Sequence, residues 1–162
     1  MLELACATIF IGGMAFAGSM DLLTMTIPNR ISIFLVGSFF VVAPLAGLGL
    51  QDIAIHVATC LAVLAVGIFM FARGWMGGGD AKIFAAATLW FGFDQLGEFA
   101  FATALLGGLL TIVLLIVRRF PLPRALLKVN WLYRLHHPET GVPYGIAIAA
   151  AALMVFPSIA WI

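Results

Sequence analysis

Phe99–Val117 reads FAFATALLGGLLTIVLLIV, nineteen residues without a charge. At 1.5 Å per residue a helix of that length covers about 28 Å, close to the ~30 Å hydrocarbon thickness of a bilayer. Working outward from it, five further apolar blocks are read: Leu4–Met20, Ile31–Leu50, Ile53–Phe71, Ala81–Phe93 and Val142–Ile162. An unpaired backbone has no water to bond in lipid, so each block is expected to be a helix. The expected fold is all-α: a polytopic membrane protein of about six transmembrane helices, in one domain over residues 1–162.

Composition supports that solvent. The chain is 64% hydrophobic and 9% charged, with a mean hydropathy of +1.18; soluble domains carry roughly 25% charged residues. Six spans with short connections leave no length for a soluble domain. A net charge of +1 gives no basis for a nucleic-acid partner. Cys6 and Cys60 lie inside apolar blocks with no Cys-x-x-Cys spacing, so they read as core residues rather than as a zinc site or disulfide framework. No metal or cofactor is expected. The fourth block has 13 residues and spans only if its helix extends into the flanking Gly and Asp-Gln segments; otherwise it is re-entrant. The first block could be a cleaved signal peptide ending near Ala15-Phe16-Ala17, but Glu3 stands where such segments carry positive charge.

The charges predict an orientation. All eight Lys and Arg residues lie in or beside connections one, three and five: Arg30; Arg73 and Lys82; Arg118, Arg119, Arg124, Lys128 and Arg134. Connections two and four carry only Asp52, Asp94 and Glu98. The positive-inside rule then puts the odd connections in the cytoplasm and both termini outside. The longest connection, Arg118 to Gly141, reads as a polar interfacial loop with an amphipathic turn around Leu126 to Leu135.

Two carboxylates fall at that same membrane face. Asp21 closes the first block and is followed by Ile27-Pro28-Asn29-Arg30; Pro28 disfavours helix at Ile27, so the helix is expected to end about one and a half turns after Asp21. Asp80 follows Gly77-Gly78-Gly79, three positions without a Cβ that permit bent or left-handed backbone and close approach of another segment. It is expected at the N-terminus of the fourth helix, where a carboxylate suits the exposed N–H groups. A carboxylate near membrane depth is costly to retain and marks a functional site by default. Two together can share one proton and divide acid and base roles in hydrolysis by water. Taken singly, Asp21 is an interfacial carboxylate and Asp80 a helix cap. Lys82, about 200° around the helix from Asp80, either supports the pair electrostatically or snorkels to headgroups. His56 lies in an apolar span toward the other face, and His136 and His137 have no carboxylate or Cys at metal-ligand spacing.

Three ordered motifs carry a resemblance: Asp21 with Ile27-Pro28-Asn29, then Gly77-Gly78-Gly79-Asp80-Ala81-Lys82-Ile83, then Val142-Pro143-Tyr144-Gly145-Ile146-Ala147 opening the last block. With them the chain resembles the type IV prepilin peptidases, the bacterial branch of the Gly-x-Gly-Asp membrane aspartyl proteases. The resemblance implies an endopeptidase of the bacterial inner membrane that removes the short leader of prepilin-like precursors at the cytoplasmic face, with the precursor and the lipid bilayer as its partners. It implies Asp21 and Asp80 as the catalytic pair, with Gly77, Gly78, Gly79 and Lys82 supporting the catalytic loop. Pro28, Asn29, Pro143 and Tyr144 are candidates for substrate or structural support. The chain lacks the paired Cys-x-x-Cys region of the longer bifunctional members, so it resembles the short, peptidase-only form that serves tight-adherence or Flp pili, without methyltransferase activity. The loop from Arg118 to Gly141 is left to lipid headgroups or the substrate leader. Two other classes compete: a small ion- or proton-coupled transporter using the aspartates as ion ligands, and a membrane anchor for pilus assembly with a decayed site. No second half repeats the Pro44-interrupted span, as a transporter of paired halves would require.

Overall fold

The computed structural model describes residues 1–123, 128–137, 139–159 and 161, without the side chain of Ser158. Arg124, Leu126 and Pro138, to which the sequence assigned parts of the basic loop, lie outside the described residues. Seven α-helices are present among those described: α1 (Leu2–Thr24), α2 (Asn29–Leu45), α3 (Leu50–Ala72), α4 (Gly78–Phe91), α5 (Leu96–Val117), α6 (Asn130–His136) and α7 (Tyr144–Val155).

The six apolar blocks correspond to α1–α5 and α7. By length and composition α1, α3 and α5 can cross a membrane; α2 and α7 are shorter apolar helices. The last block gives a helix of only 12 residues, because Phe156-Pro157 turns the chain into a short 3₁₀ segment. Of the amphipathic turn expected around Leu126 to Leu135, the described residues include α6, which runs from Asn130 to His136. The fourth block extends back through Gly78 and Gly79 to 14 residues, and its surroundings explain how so short a helix is accommodated. Ala81, Ile83 and every residue from Ala85 to Phe91 are buried, sheathed by α3, α2 and α7. α7 is the second inner helix, burying Ala147, Ile148, Ala149, Ala151 and Ala152 against α1 and α5.

Lipid is as apolar as these side chains, so helix association depends on close packing and internal hydrogen bonds. Small residues supply the first. A Cβ on Gly67 of α3 would lie 2.9 Å from that of Ala81 on α4, and one on Gly18 of α1 would lie 2.9 Å from that of Ala149 on α7. The helices therefore meet almost backbone to backbone, one contact beside Asp80 and the other one turn before Asp21. Hydrogen bonds supply the second. Trp90 Nε1 donates to the Leu35 carbonyl at 3.0 Å, Trp161 Nε1 donates to the Trp90 carbonyl at 3.0 Å, and the hydroxyls of Thr59, Thr88 and Thr111 bond the carbonyl four residues back. Phe10, Phe39 and Trp90 form the aromatic centre, away from the aspartate end.

Candidate active site

Six helix ends meet at one end of the bundle: the C-termini of α1, α3 and α5 and the N-termini of α2, α4 and α7. Asp21 lies in the last turn of α1. That helix closes at Thr24, one turn after Asp21 rather than one and a half, because Met25 turns left-handed (φ 56°, ψ 27°) and returns its N–H to the Asp21 carbonyl at 2.8 Å. The chain then passes Ile27 to Pro28, the N-cap of α2. The Asp21 side chain points into the protein and is only 5% exposed. Its Oδ2 accepts a 2.7 Å hydrogen bond from the backbone N–H of Gly145, in the first turn of α7.

Asp80 is the third residue of α4, whose N-cap is Gly77. A carboxylate there reaches back over the first turn to the cap, the return half of a capping box. Asp80 turns that way: its Oδ2 would be 2.7 Å from a Cβ on Gly77. The sequence left two uses open for the glycines, unusual dihedrals or close approach. The positive-φ glycines among the described residues are Gly47, Gly74 and Gly92, so Gly77–Gly79 serve close approach. Gly79 lies under Ile27 and Gly78 under the Phe71 ring, each with 3.3 Å between a would-be Cβ and the neighbouring carbon.

The two carboxylates, 59 positions apart in sequence, line one cavity of about 260 Å³ with Met25, Thr26, Ile27 and Gly77–Gly79. That volume holds several waters. Lys82 turns elsewhere: its Nζ donates to Asn29 Oδ1 at 2.9 Å, and the two residues line a separate groove with Ser32 and Ala85. Pro143 caps α7, and the Tyr144 hydroxyl pairs with Thr111 Oγ1 at 3.0 Å while its ring lies on Gly107. These two residues immediately precede Gly145 and are absent from the cavity wall. His56 is at the far end of the bundle, its Nδ1 2.8 Å from the Leu89 carbonyl.

Two contributors were not singled out from sequence, Gly145 and Ile27. A Cβ on Gly145 would fall 2.7 Å from Ile27 Cδ1 and 2.8 Å from Asp21 Oδ2, so only glycine lets α7 approach α1 closely enough to donate. The signal available was positional: Gly145 and Ile27 stand inside two of the three quoted motifs.

The model of the type IV leader peptidase family matches residues 8–112. That stretch contains Asp21, Pro28, Asn29, Gly77–Asp80 and Lys82, and stops before Pro143, Tyr144 and Gly145. No curated protein and no solved structure matches the chain.

Proposed function

The chain belongs to the type IV leader peptidase family, and from that premise we propose that Asp21 and Asp80 form a water-activating pair that cleaves the leader from prepilin-like precursors. The observation that carries this reading is the shared cavity, into which α1 and α4 deliver one carboxylate each.

In the proposed reaction the pair holds one proton between its two carboxyl groups, because like charges side by side oppose the second ionisation. The unprotonated group removes a proton from the bound water as its oxygen attacks the scissile carbonyl carbon. The protonated group gives its proton to the carbonyl oxygen. The gem-diol intermediate then collapses: the carboxyl that took the water proton passes it to the departing nitrogen as the C–N bond breaks, and the other carboxylate takes a proton from a gem-diol hydroxyl, which restores the starting arrangement with one proton on the pair. No covalent intermediate with the protein forms. The Gly145 N–H fixes one oxygen of Asp21 and the Asp80 carboxylate packs over Gly77, so both groups are oriented before substrate arrives.

The cavity opens at the helix ends that carry Arg30, Arg73, Lys82 and Arg118, whereas Asp52, Asp94 and Glu98 lie toward the opposite end. This segregation supports a cytoplasmic active site in the bacterial inner membrane with both termini outside. A small pilin of the Flp type is the proposed substrate. Asp21→Asn and Asp80→Asn are expected to abolish leader removal in membranes co-expressing a precursor, with normal accumulation of both variants. Retained cleavage in either would reject the pair.

A further inference from the structure

The basic connection between α5 and α7 has no part in the two-carboxylate chemistry, and its position in the fold gives it one. Arg118, at the C-cap of α5, turns inward. Its Nε donates to the Leu135 carbonyl at 3.0 Å, and its Nη2 donates to the carbonyls of Thr140 and Gly141, each at 3.0 Å. Arg134, on α6, donates from Nη1 to the carbonyl of Thr24, the last residue of α1, at 3.1 Å. The Thr140 hydroxyl closes the intervening turn on the carbonyls of Arg134 and His137.

Terminal carbonyls of a helix have no partner within it, and a guanidinium is a fixed fork of donors that can serve several at once. A cation at a helix C-terminus also meets the negative end of its dipole. Both arginines are therefore placed as internal fasteners, Arg118 through three bonds to main-chain oxygen and Arg134 through one.

Following the bonds gives a closed circuit. From Asp21 the chain runs three residues to Thr24, whose carbonyl binds Arg134. The next residue, Leu135, offers its carbonyl to Arg118, which also holds Gly141. Four residues on, past Pro143 with its ring-fixed φ, the Gly145 N–H returns to Asp21 Oδ2. We propose that Arg118 and Arg134 are positioning residues for Asp21, holding the N-terminus of α7 against the C-terminus of α1 so that the Gly145 N–H meets the carboxylate. The catalytic part of this proposal rests on the peptidase reading; the structural part does not.

The test uses the full-length protein with Arg118→Gln, Arg134→Gln, the double variant, and Arg118→Lys and Arg134→Lys, which keep the charge and lose the fork. The first readout is hydrogen exchange of the Gly145 amide in detergent, which needs no substrate. All five variants are expected to lose protection there while the α4 amides keep theirs. The second is kinetics on a full-length precursor. Each single variant is expected to lower kcat by at least about tenfold with KM within about twofold, and the double variant to lose little more than the worse single, since both act through one circuit. Unchanged Gly145 protection, or a raised KM at unchanged kcat, would overturn the proposal, and the second result would make the arginines substrate contacts. If the unsubstituted protein cleaves no precursor, the peptidase reading fails while the exchange measurement still decides the clamp.

Discussion

Gly145 and Asp21 are joined by a 2.7 Å backbone-to-carboxylate hydrogen bond across 124 positions of sequence. Both lie in helices that pack along their length, so the bond reports the spacing of α1 and α7. Gly145→Ala would place a methyl 2.8 Å from the accepting oxygen and 2.9 Å from Asp21 Cβ, forcing the helices apart. Displacing a reacting group by about 1 Å costs roughly 10²-fold in rate. A kcat loss of that order is expected with the variant still folded, as read by kinetics beside a thermal unfolding scan.

The three glycines before Asp80 are expected to differ in their tolerance of alanine. At Gly77 the added methyl meets Asp80 Oδ2 at 2.7 Å; at Gly79 it meets Ile27 Cβ at 3.3 Å; at Gly78 it meets the edge of the Phe71 ring at 3.3 Å. The Phe71 ring is on the exposed side of α3 and can swing away, whereas Ile27 is buried. Activity should therefore fall most for Gly77→Ala, less for Gly79→Ala and least for Gly78→Ala, with Gly37→Ala, which meets nothing within 4 Å, as the neutral control. Initial rates at equal protein level check the order.

Lys82 bonds Asn29 and takes no part in the wall of the carboxylate cavity. Lys82→Met removes an exposed hydrogen bond, a contribution of about 1 kcal/mol or less. Cleavage by Lys82→Met is expected to stay within a few-fold of the parent rate. A loss comparable to that of Asp80→Asn would show that the lysine acts on the reaction directly.

Trp90→Phe tests the opposite end of α4. Trp90 is fully buried and its indole N–H is the partner of the Leu35 carbonyl in α2. Removing it loses a second hydrogen bond to a carbonyl already paired within α2 and leaves a partial cavity, together costing about 1–3 kcal/mol. Reduced resistance to unfolding in detergent is expected, with kcat per folded molecule unchanged.

Hydropathy made the helices legible because lipid imposes one rule on every span. α1, α3 and α5 appear within a few residues of their apolar blocks. Helix ends were harder to place where the cause was a dihedral: the left-handed turn at Met25 shortened α1 before Pro28 could act. The inner position of α4 was not readable, since a 13-residue apolar block looks the same whether it faces lipid or other helices. Asp21 and Asp80 stood out as charges in apolar surroundings. Gly145 did not, because its contribution is a backbone N–H, which every non-proline residue carries and no residue letter advertises. The Asn29 partner of Lys82 was hidden for another reason: helical rotation says which way a side chain leaves its own helix and nothing of what the next helix offers.

The burial of α4 has a consequence for the membrane in which the protein works. Membrane thickness varies by several ångströms between compartments and lipid mixtures, and spans that face the acyl chains respond by tilting or stretching the boundary layer. In this chain that response falls to α3 and α5, whose apolar surfaces are mostly uncovered by protein. Asp80 rides on an element with little lipid contact of its own, so a change in lipid thickness reaches it through α3, whose Gly67 meets Ala81 beside it.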